Sequence, residues 1–333
     1  MEELPALSKS EKVNGQFQNP WPEWKFMKPT ELFRFLFFTK DNTNAPTDPA
    51  ELDTALPMCS TVVADLTSSD HDQVTWIGHA SCLVRIAGLN VLTDPVFSEY
   101  CAPVQFGLPR MKRFRPPGVT IDGLPRVDAV VISHNHYDHL DYNSIVDLSN
   151  KFPEIVWYVP LGLKSWFNLQ VSATVHELDW WESFVHSDKL TVSCTPAQHW
   201  SKRTPFDTCK TLWGGWCLKS SDKNVYFAGD TGYNPVCFKE IGEKFGPFDL
   251  SLIPIGAYEP REFLCPQHVN PDEAVKVHQE VKSALSLGIH WGTFRLGKEH
   301  YLAPREDLKT ALAKANVDPA EFVTVIHGES IPF

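Results

Sequence analysis

No stretch of the 333 residues approaches the roughly 20 consecutive apolar residues of a transmembrane helix, so any meeting with a membrane is expected at its surface. Cationic side chains are scarce: 30 Lys and Arg stand against 41 Asp and Glu, a formal net charge of −11. That deficit argues against general nucleic-acid binding, because phosphate-backbone affinity rests on basic surface. None of the eight cysteines pair as C-x-x-C or fall at zinc-knuckle spacing. Several sit inside apolar runs, where a free thiol behaves as a small hydrophobe. The acidic Met1-Glu2-Glu3 start has no signal peptide, so a reducing cytosolic setting is expected. There is no Gly/Ser-rich linker, charge block, internal repeat or low-complexity tract. With 43% hydrophobic residues the chain can bury a sizeable core, and one main domain is expected.

What the chain does have is a dense run of metal-binding side chains. His134, His136, Asp138 and His139 fall within six positions, as H-x-H-x-D-H, directly after the apolar run Ala129-Val130-Val131-Ile132. Imidazole and carboxylate together suit zinc or a similar divalent ion. In an extended loop His134 and His136 project to one side and can chelate one ion, while Asp138 and His139 reach a second. Further candidates share the same context. His199 follows Leu190–Cys194, Asp230 follows Val225–Ala228, and His290 follows Ser286–Ile289. Each lies just past the C-terminal end of a short apolar strand, where open sheets place their sites. Seven ligands can then converge: three His on one ion, Asp138 and two His on the other, with Asp230 bridging. Ions so placed share a water whose pKa falls toward 7, giving a metal-bridging hydroxide. Asp138 and Asp230 are therefore candidate catalytic as well as ligating residues.

This loop with distant His, Asp and His resembles the metallo-β-lactamase-type hydrolases. More narrowly, the chain is similar to the family of N-acyl-phosphatidylethanolamine-hydrolysing phospholipases D. The runs that carry the likeness are Thr75–Ala80, Leu92–Pro95, Ile132–Asp141, Gly229–Tyr233, Ile253–Arg261 and His290–Phe294. The resemblance implies an αββα four-layer sandwich, where periodicity alone gives only α/β or α+β. It further implies two Zn2+ per chain (other divalent metals suit the same ligands), a phospholipid substrate, a homodimer and peripheral attachment to endomembranes such as Golgi or endosomes. The expected reaction is attack on phosphorus that releases an N-acylethanolamine and leaves phosphatidic acid, with no covalent enzyme intermediate. The H-x-K-x-x-x-x-D motif pair of the other phospholipase D chemistry is missing. A soluble lactonase or small phosphodiester hydrolase on this scaffold is the competing enzyme reading. A non-catalytic binder is disfavoured by the complete ligand set.

Outer residues are read less sharply. Asp94 either orients a ligand histidine or caps a turn before Pro95. His79 has a similar outer role or is a core histidine. His268 corresponds to a family position at the site mouth, suited to protonating the leaving group, or is an exposed loop residue. Tyr258 and Arg261 bind the phosphodiester or brace their loop. Arg110, Lys112, Arg113 and Arg115 alternate with Phe106, Leu108, Met111 and Phe114, a pattern suited to anionic lipid heads. By region, residues 1–18 are polar and expected to be disordered, and 19–70 form an aromatic, membrane-facing extension. Residues 71–333 form the binuclear metallohydrolase domain. Within the extension Thr30 is a candidate cap for a short helix carrying Leu32, Phe35 and Leu36 on one face, with Phe33 and Phe37 on an adjoining one. A further helix is expected from Asn270, with Pro271 at its first position and Glu273 completing a capping box.

Overall fold

The computed structural model describes residues 7–22, 24–59, 66, 71–107 and 109–333. The expectation of disorder for residues 1–6, and the role of Leu108, therefore lie outside the described residues. From Leu7 to Gln18 the expectation is corrected. Strands β1 (Glu11–Val13) and β2 (Gln16–Gln18) pair antiparallel across Asn14-Gly15, which sit at φ 50° and 80°. Asn-Gly is the dipeptide that takes such a turn most readily. The hairpin is held by burial of Phe17 and by Phe17 N donating to Cys209 O at 2.7 Å.

Helix α1 (Pro29–Phe37) begins ahead of the Thr30 expected to cap it. Pro29 needs no N–H partner at the first position, and Glu31 reaches back to accept from Lys28 N at 2.7 Å. Helix α2 (Pro49–Ala55) follows, capped by Asp48. The body then alternates strands and helices. Its elements are β3 (Gln73–Gly78), β4 (Ser81–Ile86), β5 (Leu89–Thr93), β6 (Ala129–Val131), α3 (Tyr142–Lys151), β7 (Val156–Pro160), α4 (Lys164–Gln170) and β8 (Thr174–Leu178). Then come β9 (Ser183–Ser187), β10 (Leu190–Thr195), β11 (Gly215–Lys219), β12 (Asn224–Phe227), α5 (Pro235–Lys244), β13 (Phe248–Pro254) and α6 (Arg261–Leu264). The chain finishes with α7 (Pro271–Glu280), β14 (Ser283–Ile289), α8 (Ala303–Ala315), β15 (Phe322–Val323) and β16 (Ser330–Pro332).

Two seven-stranded sheets result, ordered β16-β3-β4-β5-β6-β7-β8 and β15-β14-β13-β12-β11-β10-β9. Each is antiparallel on one side and parallel on the other, the change falling at β5 and at β12. Strand β6 shows why its sequence is uniformly apolar. Ala129 and Val131 face the core between the sheets, while Val130 and Ile132 face outward, packed with Ile145 and Leu148 of α3 and Phe167 of α4. Both faces are covered, so no polar alternation survives. On the other sheet α7 buries Ala274 and Val277. Its cap forms as expected, with Asn270 Oδ1 accepting from Glu273 N at 2.9 Å and Glu273 Oε2 from Asn270 N at 3.1 Å. The architecture is an αββα sandwich, with both sheets opening their loops toward one edge. Among the described residues no helix is long and apolar enough to cross a membrane.

Candidate metal centre

All seven expected ligands meet at that edge. His134, His136, Asp138 and His139 follow β6, His199 follows β10, Asp230 follows β12, and His290 follows β14 directly. They divide into two sets. His134 Nε2 lies 2.8 Å from His136 Nδ1, which lies 3.2 Å from His199 Nε2. Ligands around a tetrahedral ion at about 2.0–2.1 Å are roughly 3.4 Å apart, so three nitrogens at this spacing fit one ion. In the second set Asp138 Oδ2 is 3.3 Å from His139 Nε2 and 3.5 Å from His290 Nε2. Asp230 stands between them. Its Oδ2 is 3.9 Å from His134 Nε2, 3.8 Å from His199 Nε2 and 3.2 Å from His139 Nε2, while Oδ1 is 3.1 Å from His290 Nε2.

The donor chemistry fits divalent ions. His139 Nε2, His290 Nε2 and Asp230 Oδ1 are buried without a hydrogen-bond partner, although each points into the cluster. Buried polar atoms are normally satisfied, and a cation between the two sets would satisfy all three. Electrostatics separates the sets. Burial drives His134 and His199 well below the ordinary imidazole range and His136 to about 4, so these three are neutral and ready to ligate. Burial acts the same way on His139 and His290, but Asp230 and Asp138 outweigh it. His139 is raised well above its usual value and His290 to about 9. The carboxylates respond in turn. Burial alone would raise Asp138 and Asp230, yet the neighbouring imidazoles, His139 foremost, hold both well below the usual range.

The loops are held with little slack. His79, Asp94 and His290, none of them glycine, sit at φ 54°, 31° and 62°, a left-handed region that side chains seldom occupy. Gly229, at φ 63°, has no such freedom to change. A Cβ there would stand 2.6 Å from Ser133 Cβ, so glycine is what allows the Asp230 loop to approach the His134 loop.

The outer residues resolve as follows. Asp94 is fully buried, accepts from Ser133 N at 2.7 Å and lies 2.6 Å from His139 Nδ1, so its carboxylate fixes the His139 ring. His79 Nε2 lies 3.1 Å from Asp138 Oδ2, and His79 O accepts from His290 N at 2.9 Å. His268 lines the cleft with Nδ1 buried, unpartnered and 3.8 Å from Asp230 Oδ2. It is not an exposed loop histidine. Burial lowers its pKa to about 4.

Two expected groups of substrate contacts are not where the sequence suggested. Tyr258 is buried and donates to Asp307. Arg261 grips Glu273 at 2.7 Å and 2.9 Å and donates to His268 O at 2.8 Å, so it braces the loop instead of facing the cleft. The basic run also divides. Arg113 turns inward to Val96 O and Ser98 O at 2.7 Å and 2.8 Å, and Arg115 to Leu56 O and Asp53 Oδ1 at 2.8 Å and 2.6 Å. Lys112 pairs with Glu99 at the surface at 2.8 Å, and of the four only Arg110 lines the cleft. A guanidinium can satisfy several backbone carbonyls at once, and here that outweighs exposure.

Other contributors left no sequence signature. Ser133 Oγ meets His134 Nδ1 at 2.8 Å, and Gln267 meets His199 Nδ1 through its backbone carbonyl at 3.0 Å. Asn19, from the N-terminal arm, donates to His199 O at 2.7 Å. The cleft itself, about 780 Å3, runs from the ligands between Trp24, Phe26, Phe35, Trp200, Phe263 and Leu264. Lys25, Arg110, Lys202 and Arg203 add positive charge to its lining.

With this geometry in hand, comparisons with known proteins fix the lineage. Residues 89–291 match the family model of the beta-lactamase superfamily domain. The chain is 44% identical, over 90% of its length and 86% of the relative's, to N-acyl-phosphatidylethanolamine-hydrolyzing phospholipase D 1 of Caenorhabditis elegans. It is 33% identical, over 89% of its length and 71% of the relative's, to the mitochondrial N-acyl-phosphatidylethanolamine-hydrolyzing phospholipase D of Saccharomyces cerevisiae. Among solved structures, the metallo hydrolase Igni18 of Ignicoccus hospitalis superposes with a TM-score of 0.58 at 19% identity, covering 79% of this chain and 98% of that one. The chain belongs to the beta-lactamase superfamily and, within it, to the family of N-acyl-phosphatidylethanolamine-hydrolysing phospholipases D. It is a hydrolase.

Proposed function

We propose that this chain hydrolyses N-acyl-phosphatidylethanolamine to an N-acylethanolamine and phosphatidic acid at a centre of two divalent ions, zinc by ligand preference. The observation that carries the reading is the pair of adjacent three-ligand sets with Asp230 between them, at the floor of an apolar-walled cleft. His134, His136 and His199 would hold one ion, Asp138, His139 and His290 the other, and Asp230 both. Such a pair supplies an activated water and neutralises charge on the attacking and leaving oxygens of an in-line displacement at phosphorus.

The remaining work falls to the chain's own residues. Trp24, Phe26, Phe35 and Trp200 take acyl chains and keep water from them, and Arg110, Lys25 and Lys202 draw in the phosphodiester anion. His268, neutral and with an unpartnered Nδ1 beside Asp230, would take the proton that the attacking water gives up and hand it to the ethanolamine oxygen as its bond to phosphorus breaks. The small-phosphodiester reading is disfavoured by the same cleft, because a soluble substrate has no use for an aromatic wall. Membrane contact is part of the proposal. Phe26 is 48% exposed at the cleft, and Phe33, Phe38, Phe106 and Phe206 are more than half exposed. These rings suit insertion among lipid head groups on the cytosolic face of an endomembrane.

The test is mass-spectrometric product analysis on N-acyl-phosphatidylethanolamine in mixed micelles, with and without a metal chelator. Chelator-sensitive appearance of both products is expected. Intact lipid after incubation with metal-replete protein would overturn the substrate assignment.

A further inference from the structure

The five ligand imidazoles are not held alike. His134, His139 and His199 each have a partner at the outward ring nitrogen, in Ser133, Asp94 and Gln267. His290 has none there, but it sits at the end of the seven-residue strand β14 with its N–H fixed to His79 O. His136 has neither support. Its Nδ1 faces the cluster, its Nε2 is buried without a hydrogen bond, and it stands in mid-loop. Something else must hold it, since ligands left to turn bind metal weakly.

The side chain placed to do so is Arg203, four residues beyond His199. Its Nη1 donates to Leu140 O at 2.6 Å and to Asn135 O at 3.1 Å, the two carbonyls that flank His136, Asp138 and His139. The guanidinium carbon lies 4.1 Å from the Tyr137 ring centroid and 5.1 Å from that of Trp166, and Tyr137 OH donates to Arg203 O at 3.0 Å. The loop is thus closed around one planar cation. We propose that Arg203 is a positioning residue that clasps the Asn135–Leu140 loop and holds His136 and Asp138 where they ligate. The proposal rests on the binuclear reading given above. A lysine ammonium could donate to both carbonyls but is not planar, so it cannot lie against the Tyr137 and Trp166 rings as the guanidinium does.

The experiment compares wild type, Arg203→Lys and Arg203→Ala, reading zinc affinity by competition with a chromophoric chelator, the Co(II) absorption spectrum, and kcat and KM separately. For Arg203→Ala the expected result is a loss of about 10- to 100-fold in affinity for at least one ion, as for other residues that orient ligands. An altered Co(II) spectrum and a fall in kcat exceeding any rise in KM are expected with it. Arg203→Lys should be intermediate, and added methylguanidinium should restore part of the affinity to Arg203→Ala. Unchanged metal affinity and spectrum with a raised KM would overturn the proposal and make Arg203 a substrate contact. Should Arg203→Ala fail to fold, Arg203→Met decides, because it keeps a side chain between the rings but has no donor, and wild-type metal affinity in that variant overturns the clasp. Wild-type protein that takes up no more than one ion would instead overturn the binuclear reading itself.

Discussion

The histidines in the two halves of the proposed metal centre are held in opposite states. His134, His136 and His199 share burial and lie far enough from the carboxylates that burial decides, and all three titrate below the ordinary range. His139 and His290 are equally buried but lie 3.1–3.5 Å from Asp138 or Asp230, and the carboxylates decide. Without metal, one half is a set of neutral imidazoles waiting for a cation. The other neutralises its carboxylates with imidazolium protons that a cation must displace. A histidine is thus a ready ligand or a proton store according to whether an acid stands beside it. Asp230, which touches both halves, is the residue on which the contrast depends.

Removing that charge should have the largest effect. In Asp230→Asn the amide keeps the shape but cannot bridge two cations. Metal content is expected to fall from two ions to one or none, and kcat by about 10^3-fold or more, beyond the roughly 10^2–10^3 that loss of a single electrostatic donor costs. Elemental analysis of the purified variant and initial rates on micellar substrate check this, with circular dichroism showing the fold intact. Two retained ions with near-wild-type turnover would break the comparison.

Asp94→Asn should act unequally on the two halves. Asp94 holds His139 directly at 2.6 Å and reaches the other half only through Ser133, whose hydroxyl lies between it and His134. An affinity loss of about 10- to 100-fold is expected for the ion of the Asp138–His139–His290 half, with a smaller loss at the other. Stepwise chelator competition resolves the two, and equal weakening of both would mean that the halves are not separately supported.

The set of candidate ligands was legible in the sequence, for a physical reason. Ligands at strand ends are announced by the apolar run before them, and a sandwich covered on both faces keeps such runs uninterrupted, as in Ala129–Ile132. The αββα order, by contrast, came from resemblance, because sheet order is set by contacts among distant segments. Legibility failed where direction mattered more than type. Arg113 and Arg115 alternate with apolar neighbours, but alternation does not say which set faces water, and here the cations turn inward to backbone carbonyls. Arg261 failed likewise, since a cation near a site can serve an acid and a carbonyl as well as a substrate. The hairpin at residues 11–18 is a different lesson. Its Asn14-Gly15 turn stood in the sequence, outvoted by the polarity around it. Gln267 could not have been found, because it acts through a backbone carbonyl that every residue possesses.

His327 sharpens the contrast from outside the centre, with the smallest effect. It is fully buried, packs tilted against Trp76 with ring centroids 4.2 Å apart and lies 3.1 Å from Thr293 Oγ1. Burial lowers its pKa to about 3, with Arg113 and Arg115 adding to the shift and no carboxylate opposing it. It is the neutral-half case without a metal. Its folded pKa lies below the unfolded value of about 6.5, so between those values the unfolded chain binds a proton that the folded chain refuses. The stability it contributes is therefore whole above pH 6.5 and declines as pH falls below it, approaching about 1.4 kcal/mol per unit from this group. Denaturant unfolding of wild type and His327→Gln at pH 7 and pH 5 reads the difference. The variant should lose less stability on acidification, by roughly 2 kcal/mol, whatever its absolute stability. Equal acid sensitivity would show that burial alone does not keep a histidine neutral in this protein, and the account of the His134–His136–His199 half would fall with it.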